Sequence, residues 1–193
     1  MNNTFNKYNI KTPQELMKFF ENNIQYGFTY RGKVYRDLEQ DFQKNMDKFY
    51  KIRLGEDFIN SGYGVCWDYC ELERKFFTEN NIKHKCYFIE SYINRKEGGP
   101  THTFIIYKQN DKWYWFEYSW FYHRGIWGYN SIDEALQDIL NKFDDFYDKK
   151  LINIGLYETK KISKRLNVFE FVEHCLNGEK VNIDLINKNI KGQ

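Results

Sequence analysis

The chain has 193 residues, 20% of them aromatic, and its 29 basic and 27 acidic side chains leave a net charge of only +2. Charges this balanced and interspersed give no footprint for a phosphate backbone, which excludes nucleic acid as a partner, and the abundance of aromatic rings excludes a disordered chain. No apolar run reaches the roughly 18 residues that span a bilayer. The start, Met1-Asn2-Asn3-Thr4-Phe5, lacks the basic and apolar regions of a signal peptide, so neither a membrane partner nor secretion is expected.

The length suits a single domain over 1–193. Cys66, Cys70, Cys86 and Cys175 are too sparse for a disulfide framework and fit a reducing, cytoplasmic location. Thr12-Pro13-Gln14-Glu15 combines an N-cap hydroxyl, a proline at the first helical position and a glutamate at N3, so a helix begins there and ends near Tyr26-Gly27. Phe42, Met46, Phe49 and Tyr50 recur at helical spacing and predict a second helix over Phe42 to Leu54. Ser61-Gly62-Tyr63-Gly64 then breaks the chain and opens a third helix from Val65 to about Asn80, with Cys66 in its first turn.

Strand patterns follow at Lys83 to Arg95, Thr101 to Gln109 and Lys112 to Trp120, with turns at Gly98-Gly99-Pro100 and Asn110-Asp111. Ser131-Ile132-Asp133-Glu134 starts a further helix through about Phe146, and Asn167-Val168-Phe169-Glu170 starts a last one that ends before Gly178. The tail from Val181 onward, rich in Lys, Asn and Ile, carries no functional signal. The fold class is therefore α+β with an antiparallel sheet at its centre.

A hairpin centred on Asn110-Asp111 sets Phe104 opposite Glu117 and His102 opposite Ser119. Because paired residues share a face, Glu117 lies one diagonal step from His102, within hydrogen-bonding reach. Cys66, in the first turn of a helix, sits where free N–H groups and the positive end of the dipole favour a thiolate. Cysteine, histidine and carboxylate together suit acyl transfer: the thiolate attacks a carbonyl, the imidazole moves the proton, and the carboxylate orients the imidazole.

The Cys66 amide is the first candidate donor to an oxyanion, and the second is a side chain of Gln25, Asn60 or Tyr63. Trp67, Trp120 and Trp127 are the candidate walls of a substrate groove, while Cys70, one turn after Cys66, is expected to pack against the sheet. No cofactor or metal is expected. Two other readings remain open: a catalytically silent module that binds a peptide in the same cleft, and a zinc-stabilised fold that draws ligands from Cys66, Cys70, His84, Cys86, His102 and His123.

Gly64-Val65-Cys66-Trp67-Asp68-Tyr69, Thr101-His102-Thr103-Phe104 and Trp113-Tyr114-Trp115-Phe116-Glu117-Tyr118 resemble the transglutaminase-like superfamily of papain-fold cysteine enzymes over about Ile59 to Trp120. The resemblance implies a nucleophilic cysteine at the start of a helix packed on an antiparallel sheet, with the histidine and its orienting acid on adjacent strands. It assigns those roles to Cys66, His102 and Glu117, the last standing where the family usually has Asp. It further implies thioester chemistry on a protein or peptide substrate, released to water or to an amine, and leaves protease, deamidase and cross-linking activities open.

Overall fold

The structure, a computed structural model, describes residues 4–92, 99–146, 153–184 and 186. Among the described residues the first half runs in the order α1 (Pro13–Asn23), β1 (Gln25–Tyr26), β2 (Phe28–Tyr30), β3 (Lys33–Tyr35), α2 (Phe42–Phe49), α3 (Glu56–Ser61), β4 (Tyr63–Gly64) and α4 (Cys66–Glu79). The second half contains β5 (His84–Tyr92), β6 (Thr101–Gln109), β7 (Lys112–Glu117), β8 (Gly125–Tyr129), α5 (Ile132–Phe146), β9 (Asn153–Glu158), α6 (Val168–Leu176) and β10 (Glu179–Lys180).

The frame is a six-stranded antiparallel sheet in the order β10-β9-β5-β6-β7-β8. Helix α4 covers one face through Tyr69, Cys70, Phe76 and Phe77, which pack with α1 against Cys86, Ile105, Tyr107 and Phe116. On the other face, α5 inserts Ala135, Leu136, Ile139, Leu140 and Phe143 against Tyr87, Phe104, Ile106 and Trp115. A third cluster joins the start of α4 to β2, β3, α2 and α6 through Phe28, Tyr50, Trp67, Phe88 and Phe171. The architecture is α+β, with an antiparallel sheet packed against the cysteine-bearing helix.

The local signals at the helix starts act as their chemistry dictates. Thr12 Oγ1 accepts from the Glu15 amide, the Glu15 carboxylate accepts from the Thr12 amide, and Pro13 opens α1. Asn167 and Glu170 repeat that reciprocal pair at α6. At α5 the Glu134 amide donates to Ser131 Oγ, while the Glu134 carboxylate reaches back to the amide of Asn130.

Several element ends differ from the sequence expectation because distant segments compete for the backbone. Helix α1 stops at Asn23 rather than Tyr26, since Gln25 and Tyr26 pair in parallel with Tyr63 and Gly64. Helix α2 stops at Phe49 rather than Leu54, since Ile52 donates to the Leu166 carbonyl and Lys51 bridges Asn167. Strand β7 ends at Glu117, where the Trp120 amide turns back onto the Glu117 carboxylate, and a single 3-10 turn, Phe121–His123, follows. Arg95 and Gly98, expected in a strand and a turn, lie outside the described residues, as does the end of the tail. Within that tail Val181, Ile183 and Ile186 pack against the α5 side of the sheet.

Among the described residues no helix is long and apolar enough to cross a membrane. All four cysteines are buried and free.

The hairpin that aligns the two central strands has the register Ile106 opposite Trp115 and Gln109 opposite Lys112. Its turn holds Asn110 at φ 49° and Asp111 at φ 62°, left-handed conformations that match the twist of the flanking strands but strain a side chain bearing Cβ. Asp111→Gly relieves that strain and is expected to raise the unfolding free energy by about 0.5–1 kcal/mol in urea denaturation.

Candidate active site

The cysteine is placed by what happens two residues on either side of it. Gly64 lies against the Phe58 ring, and a Cβ at that position would collide with the ring and come within 2.9 Å of Asp68 Cβ. Only a glycine lets the chain enter α4 this close to α3. Asp68, fully buried at the third position of the helix, turns its carboxylate back onto the chain that leads in. Its Oδ2 accepts from the Val65 amide at 2.8 Å and from the Tyr50 hydroxyl at 2.8 Å, and its Oδ1 accepts from the Arg53 amide at 2.7 Å.

Burial pushes the Asp68 acid up to about 6 despite those three donors, which each favour the charged form. The Asp68 and Tyr69 amides both donate to the Val65 carbonyl, so the first-turn amides of Cys66 and Trp67 are the ones that helix geometry leaves without an acceptor inside the helix. The dipole adds positive character at the same point.

The histidine and the glutamate come from the central hairpin. His102 Nε2 is 2.7 Å from Glu117 Oε2, and both side chains are buried. Glu117 Oε1 accepts from Ser119 Oγ at 3.0 Å and from the Trp120 amide at 2.7 Å, so the carboxylate is held at both oxygens. The ring of His102 is flanked by Phe104 at 6.2 Å and Trp120 at 5.2 Å between centroids.

His102 and Cys66 line the same cavity. With Nε2 engaged by Glu117, Nδ1 is the nitrogen left for the thiol. Burial opposes a charge on the imidazole, but the Glu117 carboxylate with its hydrogen bond, and the neighbouring Cys66, outweigh it and push His102 up to about 10. The ring is thus an imidazolium at neutral pH.

Cys66 lies where two cavities meet. One, of about 250 Å³, is lined by Cys66, His102, Ser119, Trp120, Tyr26 and Phe146, among others. The second, of about 290 Å³, is lined by Cys66, Trp67, Tyr26, Met46, Val168 and Val172, among others. Trp67 and Trp120 therefore border the cleft.

Gln25, Asn60, Tyr63 and Trp127 are not among the residues that line either cavity. Gln25 and Tyr63 pair with each other as backbone, Asn60 is exposed on α3, and Trp127 donates its indole N–H to the His123 carbonyl. Tyr26, which sequence reasoning missed, reaches the cleft because its strand pairs with Gly64, two residues before the cysteine.

The zinc reading loses its ligands. Among the described residues no group of three or more His, Cys, Asp or Glu side chains could hold a metal ion. Cys70 packs on the sheet in one cluster with Cys86, and that neighbouring thiol together with burial holds the Cys70 thiol well above its ordinary pKa. His84 Nδ1 contacts the Ile82 carbonyl, and His123 packs against Trp120 at 4.5 Å.

Two outcomes follow from these contacts. Asp68→Ala strands two backbone amides and a buried hydroxyl, and should lower the unfolding free energy by about 2–4 kcal/mol in chemical denaturation. For His102 the folded value of about 10 lies above the ordinary 6.5, so its contribution to stability is complete below pH 6.5 and is lost as pH rises through 10. Urea denaturation at pH 6, 8 and 10 should show that decline in the wild type and a flatter profile in His102→Gln.

Neither curated proteins nor solved structures gave a match to this chain. A family model described as a transglutaminase-like domain matches residues 2–125, more than half of the chain and a span that includes Cys66, His102 and Glu117. The chain belongs to the transglutaminase-like family.

Proposed function

We propose that the protein is a cysteine-dependent enzyme that attacks a carboxamide or peptide bond and passes the acyl group to water or to an amine. The observation that carries this reading is a single imidazole bound at Nε2 to Glu117 at 2.7 Å that lines one cavity with Cys66 at the start of α4. Cys66 is the nucleophile, His102 the acid and base, and Glu117 the orienting carboxylate.

In acylation the Cys66 thiolate adds to the carbonyl carbon, and the oxyanion is met by the Cys66 amide in the first turn of α4. The C–N bond then breaks, and the leaving amine takes the proton from His102. The thiolate partner is now consumed in the thioester, and neutral His102 accepts a proton from water or from an incoming amine as it attacks. Collapse breaks the C–S bond, regenerates the thiolate beside protonated His102, and releases a carboxylic acid or a new amide. Glu117 keeps Nε2 engaged throughout, so Nδ1 stays aimed at the reacting atoms.

A protein or peptide amide is the substrate that suits a cleft open on both sides of the thiol. A reducing cytoplasm suits an enzyme whose cysteines are all free.

The test is alkylation by iodoacetamide against pH, with the labelled cysteine located by peptide mass mapping. Rapid labelling of Cys66 below about pH 7, against an ordinary thiol near 8.5, lost in His102→Ala, is the expected result. An ordinary thiol profile in both proteins overturns the reading and leaves the silent peptide-binding module. On amide substrates Cys66→Ala should abolish turnover, and Glu117→Gln should slow it by a factor on the order of 100 or more.

A further inference from the structure

Aromatic side chains are seldom left in water next to a buried polar pair without something to cover them. On the rim of the Cys66 and His102 cavity, Phe121 is 70% exposed, Tyr122 75% and Phe146 46%. These rings are ordered relative to one another: Trp120 stands at 84° to Phe146 with centroids 5.4 Å apart, and Phe121 at 83° to Tyr122 with centroids 5.7 Å apart. Perpendicular walls of this kind offer both edges and faces to an incoming ring, the geometry that aromatic pairs prefer.

The cavity they enclose, about 250 Å³, is smaller than the roughly 300–1,000 Å³ of pockets that take a whole small ligand. It suits one large side chain of a longer substrate. Among the described residues its lining holds one carboxylate, Asp37, beyond the Cys66–His102 pair, so the walls select by shape and apolar area rather than by charge.

The cleft continues past the thiol. The 290 Å³ cavity on the other side of Cys66 shares Gln43, Pro100, Thr101, Val168 and Val172 with a further groove of about 750 Å³ that runs along α6 to Leu176. Cys66 therefore stands partway along a trough and not at its end. An extended chain lying in it would continue beyond the reacting amide in both directions.

We infer that the aromatic arm formed by Trp120, Phe121, Tyr122 and Phe146 is a specificity subsite, and that the acyl donor is an internal stretch of extended polypeptide that seats an aromatic side chain there. The inference rests on Cys66 being the nucleophile. Burial of the substrate ring covers exposed Phe121 and Tyr122 and brings the neighbouring carbonyl to Cys66 and the first-turn amides of α4.

The experiment uses peptidyl fluoromethyl ketones of matched sequence that carry Phe, Leu, Lys or Ala at each position in turn. Adducts on Cys66 are counted by intact mass against time, beside iodoacetamide on the same wild-type protein. At one position Phe should react about tenfold or more faster than Ala, with Leu between them and Lys no better than Ala.

In Phe121→Ala and Tyr122→Ala, both at exposed positions and checked for unchanged thermal unfolding, the Phe-to-Ala rate ratio should fall toward one. Equal Phe and Ala rates at every position, or a preference for Lys, in a protein whose Cys66 still labels rapidly with iodoacetamide, overturn the subsite and leave the nucleophile standing. A wild-type Cys66 inert to iodoacetamide overturns the nucleophile reading and the subsite with it.

Discussion

The carboxylate of Asp68 is the fixed point on which the site is built. It sits in the interior, three residues into α4, and its two oxygens collect the Val65 amide, the Tyr50 hydroxyl and the Arg53 amide. These donors belong to the helix entry and to the chain that follows α2, so one side chain ties the start of α4 to the lobe built around Phe28, Met46 and Tyr50. Arg53 extends the tie, since its guanidinium donates to the Thr29 carbonyl on β2 at 2.6 Å. An ionised group this deep costs free energy unless it is hydrogen-bonded, and here two of its three donors are backbone amides that cannot turn away. The position of Cys66 is inherited from that arrangement.

A second rigid body carries the other two members. The hairpin of β6 and β7 lies between β5 and β8, and its core residues Ile105, Ile106, Trp115 and Phe116 are fully or almost fully buried. His102 emerges at the start of one strand and Glu117 at the end of the other, so their separation is set by strand pairing and not by loop conformation. The chain after Glu117 then folds back to donate the Trp120 amide and the Ser119 hydroxyl to the same carboxylate, and the following 3-10 turn carries Phe121 and Tyr122 to the mouth of the cleft. One short segment thus holds the orienting acid and borders the space in front of the thiol.

The residues themselves made much of this legible. Binary alternation and the Asn110-Asp111 turn gave the register of the hairpin, and with it the meeting of His102 and Glu117. Capping chemistry located α1, α5 and α6, because a cap is a bond between neighbours in the chain. Asp68 was visible in the sequence three residues after Val65, yet its role was not, because two of its three partners, Tyr50 and Arg53, come from a segment some fifteen or more residues earlier. The side chains of Gln25, Asn60 and Tyr63 are of the right chemical type for an oxyanion donor, but which residues border the cleft depends on the parallel pairing of β1 with β4, and that pairing brings Tyr26 to it.

What the sequence determined by itself is therefore whatever is carried by contacts between near neighbours or by a period of two: the helix starts, the central hairpin, the α+β class and the cysteine at the head of a helix. The tertiary structure decided where the elements stop and which side chains share a cavity. Helix α2 ends early because Ile52 finds Leu166, and the cleft acquires Phe146 and Val168 because α5 and α6 fold back over opposite sides of the sheet. Such contacts join residues a hundred positions apart, and no local pattern records them, since each is fixed only once burial of the aromatic core has brought the elements together.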